Sequence, residues 1–131
     1  MRILVIIPAY NEAENIERVV ENLIQNYPQY DYVVVNDGSK DNTAKICRMR
    51  GYELLDLPVN LGLTGAFQTG MRYANAKGYD AAIQFDGDGQ HDPSYIAEMV
   101  ETMERDQCDI VIGSRFCNEK NRGPCVCLAA I

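Results

Sequence analysis

The sequence has no tryptophan, a single histidine and fewer basic than acidic side chains, with 12 lysines and arginines against 19 aspartates and glutamates. The resulting net charge of -7 argues against nucleic acid and against an anionic membrane surface as the main partner. An acidic protein can still bind phosphate groups if it recruits a cation or presents backbone N–H groups to them.

Long hydrophobic runs are also missing. No stretch reaches the roughly 18 apolar residues that a membrane-spanning helix requires. The first apolar run, residues 3–7, is too short for a signal peptide and is followed by Pro8. The five cysteines are an odd number, which argues against a disulfide scaffold in a chain without secretory features. We therefore expect a cytoplasmic protein, or one that works at the inner face of a membrane.

Two common nucleotide-binding signatures are absent as well. There is no G-x-x-x-x-G-K-[ST] loop. Gly62, Gly65 and Gly70 lack the spacing of a dinucleotide-binding loop, and they follow the third predicted strand rather than the first. Any nucleotide site in this chain must therefore be built differently.

What the sequence does contain is a regular alternation of apolar strands and amphipathic helices. Residues 3–7, 32–35, 52–57, 80–85 and 109–112 are predicted strands. The intervening segments repeat apolar residues at helical spacing, and the helix after the third strand is predicted to bury Leu63, Ala66, Phe67, Gly70, Met71 and Ala74. The order βαβαβαβαβ predicts an α/β fold with a Rossmann-like, mostly parallel sheet flanked by helices.

Residues 118–131 break this alternation. They include Cys125 and Cys127 within an apolar stretch that has neither helix caps nor a clear period. We expect one domain over residues 1–117, followed by an atypical cysteine-rich tail over residues 118–131. Alternatively, residues 118–131 form an edge strand, or they are the product of a truncated or altered reading frame. We favour a chain that ends early.

The most informative polar cluster follows the fourth predicted strand. Asp86 and Asp88 flank Gly87, and two carboxylates so close together repel each other unless a positive charge lies between them. A divalent cation with oxygen ligands suits such a pair, and Gln90 adds a neutral oxygen. Gly87 leaves room for the phosphates of a ligand. The alternative interpretation is an acidic surface turn.

Two further polar clusters follow the first and second predicted strands. Asp37 could accept an N–H group from a nucleobase, or it could belong to a turn that caps the next helix. Tyr10 could cover a base or ribose and Glu12 could bind it. Alternatively, Asn11 caps the first helix and Glu12 is an acid favoured by the helix dipole.

One basic residue follows the fifth predicted strand. Arg115 could meet a diphosphate or an anionic acceptor, or form a surface ion pair. The carboxyl ends of parallel strands lie at one edge of a sheet, where ligands of such folds bind. We therefore expect all these clusters to converge on one site.

Taken in order along the chain, these motifs resemble the family 2 glycosyltransferases of GT-A fold. The matching segments are Ile7 to Glu12, Val35 to Thr43, Asn60 to Ala66, Asp86 to Pro93, and Gly113 to Arg115. The Asp-x-Asp-x-Gln-His pattern is most similar to dolichol-phosphate mannose synthases and polyprenyl-phosphate sugar transferases. A receiver-like signalling domain would also place acids on a parallel sheet, but it does not explain the glycine-containing acidic loop.

The resemblance implies a nucleotide-sugar site and a metal. A UDP- or GDP-linked sugar would be bound by Pro8, Tyr10, Glu12, Asp37, Asp86, Gly87 and Asp88. Asp88 and Gln90 would hold Mg²⁺ or Mn²⁺, and Asp88 and Arg115 would be catalytic. A polyprenyl phosphate would be the acceptor. Because family members continue well beyond this length, the alternative is a nucleotide-sugar-binding module without transfer activity, prone to self-association through exposed apolar surface.

Overall fold

The computed structural model describes residues 1–86, 93–113 and 126–131 of the 131-residue chain. The strands within these residues are β1 (Ile3–Ala9), β2 (Asp31–Asp37), β3 (Leu54–Leu57), β4 (Ala81–Gln84), β5 (Ile110–Gly113) and β6 (Val126–Ala130). The helices are α1 (Ile16–Asn26), α2 (Thr43–Arg50), α3 (Gly62–Ala76) and α4 (Tyr95–Asp106).

The strands form one mixed sheet in the order β3-β2-β1-β4-β6-β5. Strand β1 pairs in parallel with β2 and β4, and β2 pairs in parallel with β3. Strand β6 is antiparallel to both of its neighbours. The predicted α/β fold, with a mostly parallel sheet flanked by helices, is confirmed.

The position of β6 differs from what the sequence suggested. This strand lies inside the sheet, with Ala129 opposite Ala82 of β4 and Leu128 opposite Val111 of β5. Neither an edge strand nor a tail describes residues 126–130, because β5 forms the edge instead. A short apolar run without alternation is compatible with an interior strand. The predicted domain boundary between residues 117 and 118 lies outside the described residues and stays a prediction.

The strand residues alternate between two cores, one on each face of the sheet. On one face, Val5 and Ile7 of β1 pack with apolar residues of α1 and α4. On the other face, Leu4 and Ile6 pack with residues of α3. The approach of α3 is close, because a Cβ atom at Gly70 would lie 2.5 Å from Cγ2 of Ile6.

The predicted buried face of α3 is correct in its centre and wrong at its start. Ala66, Gly70 and Ala74 are buried, whereas Leu63 is 54% exposed. Helical spacing in a sequence identifies the apolar stripe but does not show where along the helix the core begins. Leu63 lies in the first turn of α3, outside the core.

Strand β1 is longer than predicted and continues through Pro8 to Ala9. A proline has no N–H group to donate, so it is poorly tolerated in a strand paired on both sides. Here the pairing of β1 with β4 ends at Ile6 and Gln84, whereas the pairing with β2 continues to Ala9. Strands β1 and β4 therefore cease to pair at their carboxyl ends, which is also where the order of strand connections reverses.

Among the described residues, no helix combines the length and the apolar character needed to cross a membrane.

Candidate functional site

The loops after β1 and β2 are joined by reciprocal hydrogen bonds through Asn11. The backbone N–H of Asn11 donates to Oγ of Ser39 over 2.9 Å, and the N–H of Lys40 donates to Oδ1 of Asn11 over 2.9 Å. Asn11 has a φ of 54°, a left-handed conformation that asparagine tolerates better than most residues. The alternative in which Asn11 caps α1 is not observed, since α1 begins at Ile16.

A second connection between the same loops passes through Asp41. Its carboxylate accepts the N–H of Ala13 over 3.1 Å and the N–H of Thr43, the first residue of α2, over 3.0 Å. Partial burial alone would raise the pKa of Asp41, but the hydrogen bonds from Thr43 and Ala13 outweigh it and hold the pKa below its ordinary value. Asp41 therefore accepts an N–H group at the N-terminus of α2 and joins the loops after β1 and β2.

Asp37 lies at the end of β2 and is only 4% exposed. Its Oδ1 atom accepts the backbone N–H of Leu61 over 2.6 Å, and its carbonyl oxygen accepts Nδ2 of Asn60 over 3.1 Å. Over the described part of the chain, no group donates to Oδ2 of Asp37. A carboxylate withdrawn from water in this way is costly unless its oxygens are bonded, so Oδ2 is an acceptor available to a ligand. A turn that caps the next helix does not fully describe the role of Asp37. Asp37 binds the residue before α3, whereas Asp41 binds the first residue of α2.

The loop after β2 also contacts the loop after β3 through Gly38. This glycine has a φ of 68°, and a Cβ atom there would lie 2.5 Å from the backbone nitrogen of Asn60. Only glycine combines this conformation with so close an approach. The three loops that follow β1, β2 and β3 therefore form one connected unit around Asp37.

Sequence reasoning missed the pair formed by Asn36 and Asp56. Nδ2 of Asn36, a residue only 2% exposed, donates to Oδ1 of Asp56 over 2.8 Å. Arg48 of α2 forms an ion pair with Oδ2 of the same carboxylate. On its other side, Oδ1 of Asn36 accepts the N–H of Ser39 over 3.3 Å. The one available signal was Asp56, an acid inside an otherwise apolar strand.

The remaining predicted residues of the first loop lie beside this unit. Pro8 is buried in β1 opposite Val35 of β2. Tyr10 is 44% exposed, so much of its side chain is open to a ligand. Oε2 of Glu12 accepts Nδ2 of Asn15 over 3.0 Å, which places this carboxylate at the entry to α1.

Asp86 follows β4 on the other side of the point where β1 and β4 cease to pair. It is half-buried, and its Oδ1 accepts Nε2 of Gln84 over 3.3 Å. Its carboxylate has the hard oxygen chemistry that Mg²⁺ and Mn²⁺ prefer. Gly87, Asp88 and Gln90, together with Arg115 after β5, lie outside the described residues, so their predicted roles stay predictions.

Within residues 1–86, 93–113 and 126–131, no three histidine, cysteine, aspartate or glutamate side chains come together as a metal site. Asp88 and Gln90, the two residues predicted to hold the cation, lie outside the described residues, so the metal site stays a prediction.

A cavity of about 600 Å³ lies at the opposite, amino-terminal edge of the sheet. Its lining includes Arg2, Asp31, Tyr73, Lys77 and Tyr79. Several of these side chains already bind each other: Tyr79 donates to Asp31 over 2.7 Å, and the Arg2 guanidinium lies 4.5 Å from the centre of the Tyr79 ring. This cavity is remote from every residue that sequence reasoning selected, and we assign the candidate site to the carboxyl edge.

The connected loops lie at the carboxyl edge of a Rossmann-like sheet, which is where ligands of such α/β domains bind. Comparison with known families identifies the chain more closely. The sequence pattern that describes glycosyl transferase family 2 matches residues 4–126, and the chain belongs to this family.

Several glycosyltransferases are similar to this chain in sequence. A UDP-N-acetylglucosamine–dolichyl-phosphate N-acetylglucosaminyltransferase from Methanococcus voltae is 39% identical, covering 90% of this chain and 53% of the relative. An undecaprenyl-phosphate mannosyltransferase from Micrococcus luteus is 36% identical, covering 88% of this chain and 49% of the relative. The chain thus spans about half the length of the curated relatives it matches.

Solved glycosyltransferases share the fold. A mannosyltransferase from Pyrobaculum calidifontis, solved in complex with GDP-Man and Mn²⁺, has a TM-score of 0.70 at 25% identity, covering 83% of this chain and 34% of that one. A glucosyl-3-phosphoglycerate synthase from Mycobacterium tuberculosis, solved with Mn²⁺, UDP and glucosyl-3-phosphoglycerate, has a TM-score of 0.59 at 25% identity, covering 78% of this chain and 39% of that one.

Proposed function

We propose that this chain binds a nucleotide diphosphate sugar at the carboxyl edge of its sheet and belongs to a polyprenyl-phosphate sugar transferase. The observation that carries the proposal is the carboxylate of Asp37, which is buried at this edge with one oxygen bonded to Leu61 and the other available. A nucleobase presents N–H groups at its edge, and a fixed acceptor in a protected position suits them.

The roles of the neighbouring residues follow from their positions. Tyr10 is the exposed aromatic side chain beside Asp37 and covers the base or ribose, with Pro8 and Glu12 shaping the same loop. Asp86 lies across the gap between β1 and β4, so a ligand that spans this gap presents its ribose and diphosphate to the loop that Asp86 begins.

The diphosphate requires positive charge, which a chain of net charge -7 does not supply in excess. We propose that Asp88 and Gln90 hold Mg²⁺ or Mn²⁺, with Gly87 leaving space for the phosphates. A bound divalent cation would neutralise charge on the departing nucleoside diphosphate. Arg115 adds a second positive group for the diphosphate or for an anionic acceptor. The similar structures solved with Mn²⁺ support this assignment.

A polyprenyl phosphate is the acceptor that we propose, because relatives covering most of this chain carry dolichyl or undecaprenyl phosphate in their names. A phosphate acceptor is already anionic, so it needs little help from a general base. The chain itself must then hold the donor and shield the departing group, which are the tasks that the loops around Asp37 and Asp86 can perform.

Calorimetry with UDP and with GDP, in the presence of Mn²⁺ and again in EDTA, tests the proposal. We expect binding of one nucleotide with Mn²⁺ and a large loss in EDTA. Equal binding in EDTA would exclude the metal role, and no binding of either nucleotide under any condition would exclude the site. Release of nucleoside diphosphate from UDP-GlcNAc or GDP-Man, with polyprenyl phosphate added, then separates a transferase from a binding module.

A further inference from the structure

We infer that Asp56 and Arg48, which lie outside the nucleotide-contacting loops, are positioning residues that fix the loop carrying Asp37. The inference rests on the proposed function, since the loop is taken to bind a nucleotide. Neither residue belongs to a loop of the candidate site: Asp56 lies in β3 and Arg48 near the end of α2.

The side-chain amide of Asn36 is buried between an acceptor of hydrogen bonds and a donor. On one side is the carboxylate of Asp56, which can only accept hydrogen bonds. On the other side is the backbone N–H of Ser39, which can only donate one. One orientation of the amide satisfies both groups, with Nδ2 toward Asp56 and Oδ1 toward Ser39, and the structure has this orientation.

Asp56 therefore determines which atom of Asn36 faces Ser39. If the amide turned over, its NH₂ group would face the Ser39 N–H and both donors would be left without an acceptor. A buried unsatisfied polar group costs free energy comparable to a lost hydrogen bond. Arg48 contributes by binding the second oxygen of Asp56, which keeps this carboxylate directed at Asn36.

From Ser39 the hydrogen bonds continue into the loop after β1, which carries Tyr10. Oγ of Ser39 accepts the N–H of Asn11, and Oδ1 of Asn11 accepts the N–H of Lys40. The path from Arg48 to Asn11 thus consists of hydrogen bonds and one ion pair, and it passes directly beside Asp37. A nucleotide bound by Asp37 and Tyr10 would depend on both loops that this path connects.

Exchange of the side chains of Asn36 and Asp56 tests this inference. Asp56→Asn removes the acceptor-only partner, and Asn36→Asp places two carboxylates against each other. The double variant Asn36→Asp with Asp56→Asn restores a complementary arrangement, because the new carboxylate at position 36 accepts from Ser39 and from the new amide at position 56. That amide still offers an oxygen to Arg48.

We expect each single variant to weaken nucleotide binding about tenfold, equivalent to ~1.4 kcal/mol, and the double variant to return to within about threefold of the parent. Dissociation constants from calorimetry with Mn²⁺ are the measurement, and thermal unfolding shows whether each variant is folded. The control is Glu17→Gln, which removes the ion pair between Glu17 of α1 and Arg50 of α2, the helix that also carries Arg48. The side chain of Glu17 is 42% exposed and that of Asp56 34%, so the two ion pairs are comparable, but Glu17 does not contact Asn36.

The inference is overturned if Asp56→Asn binds nucleotide like the parent, or if the double variant binds no better than the weaker single variant. Arg48→Gln is a milder change at an exposed residue and provides a test if one of the other single variants does not fold. We expect it to weaken nucleotide binding about threefold. No loss in this variant would count against the role of Arg48.

A measurement without nucleotide separates this inference from the proposed function. The amide resonance of Ser39 reports its hydrogen bond to Asn36 in the free protein. It should move in Asp56→Asn, return toward its original position in the double variant, and stay unchanged in Glu17→Gln. If the parent binds no nucleotide, the proposed function fails, while this resonance still decides whether Asp56 orders the loop.

Discussion

The backbone N–H of Leu61 donates a 2.6 Å hydrogen bond to the carboxylate of Asp37, and helix α3 begins at the next residue. The carboxylate at the end of one strand is thereby placed at the N-terminus of a helix that follows another strand. The helix dipole favours negative charge at this end. The same contact joins the loops after β2 and β3, so a ligand that binds Asp37 meets a site already assembled.

The first prediction concerns this carboxylate. Asp37→Asn preserves the shape of the side chain but replaces one acceptor oxygen with a donor. We expect nucleotide affinity to fall by about 10- to 100-fold, the range of a hydrogen bond to a charged group. Calorimetry with Mn²⁺ measures the effect. Asp31→Asn, which alters an acid at the opposite edge of the sheet, is the control and should bind like the parent. Equal nucleotide affinity of the two variants would show that Asp37 does not bind the nucleotide.

The second prediction compares two glycines with similar backbone conformations. Gly38 and Gly51 have φ values of 68° and 71°, but a Cβ atom would lie 2.5 Å from the Asn60 nitrogen at Gly38 and would meet nothing within 4 Å at Gly51. Gly51→Ala should cost only the left-handed conformation, about 1 kcal/mol of unfolding free energy. Gly38→Ala should cost ~2 kcal/mol more, because the loop after β3 must move. Urea unfolding measures both, and equal losses would show that the contact at Gly38 is not tight.

The third prediction follows from the lowered pKa of Asp41. A carboxyl group whose pKa is lower in the folded state stabilises the protein above its unfolded pKa of about 4, and this contribution disappears as the pH falls through the folded pKa. Asp41→Asn should therefore be less stable than the parent at pH 7, and the difference should shrink below about pH 4. Urea unfolding at several pH values tests this. A difference that stayed constant with pH would mean that the charge of Asp41 contributes nothing.

The fourth prediction separates the metal site from the helix cap. Asp88→Asn should abolish most of the Mn²⁺-dependent gain in nucleotide affinity, because it replaces a proposed ligand carboxylate. Asp41→Asn should keep this gain, since Asp41 is already occupied by Thr43 and Ala13. Calorimetry of both variants with and without Mn²⁺ gives the comparison. A retained gain in Asp88→Asn would place the cation elsewhere.

Much of the architecture was accessible from the sequence, because buried strands and amphipathic helices have strong periodic signals. Strand β6 was not, since residues 126–130 are apolar without alternation and nothing local shows that they insert between β4 and β5. The same limit applies to Leu63, whose spacing matches the buried stripe of α3 although it lies outside the core.

The residues of the candidate site could be predicted from the sequence only in part. Asp37, Tyr10 and Asp86 could be selected because polar residues at strand ends are locally unusual, and the structure places them at one edge of the sheet. The bond between Asn36 and Asp56 could not be predicted, because it joins side chains 20 positions apart and depends on the pairing of β2 with β3. The alternative in which Asn11 caps the first helix rests on a local rule, whereas Asn11 binds the neighbouring loop.

The insertion of β6 between β4 and β5 has a consequence for how the chain folds as it is synthesised. Strands β1 to β4 form the parallel part of the sheet and can assemble once residue 84 has emerged, before β6 pairs with the free edge of β4. In the described sheet β5 pairs only with β6, so it must wait until residues 126–130 follow. During that interval β4 presents an open edge, which is a template for pairing with another nascent chain. Until β6 pairs with β4, the sheet therefore retains an edge that is prone to aggregation.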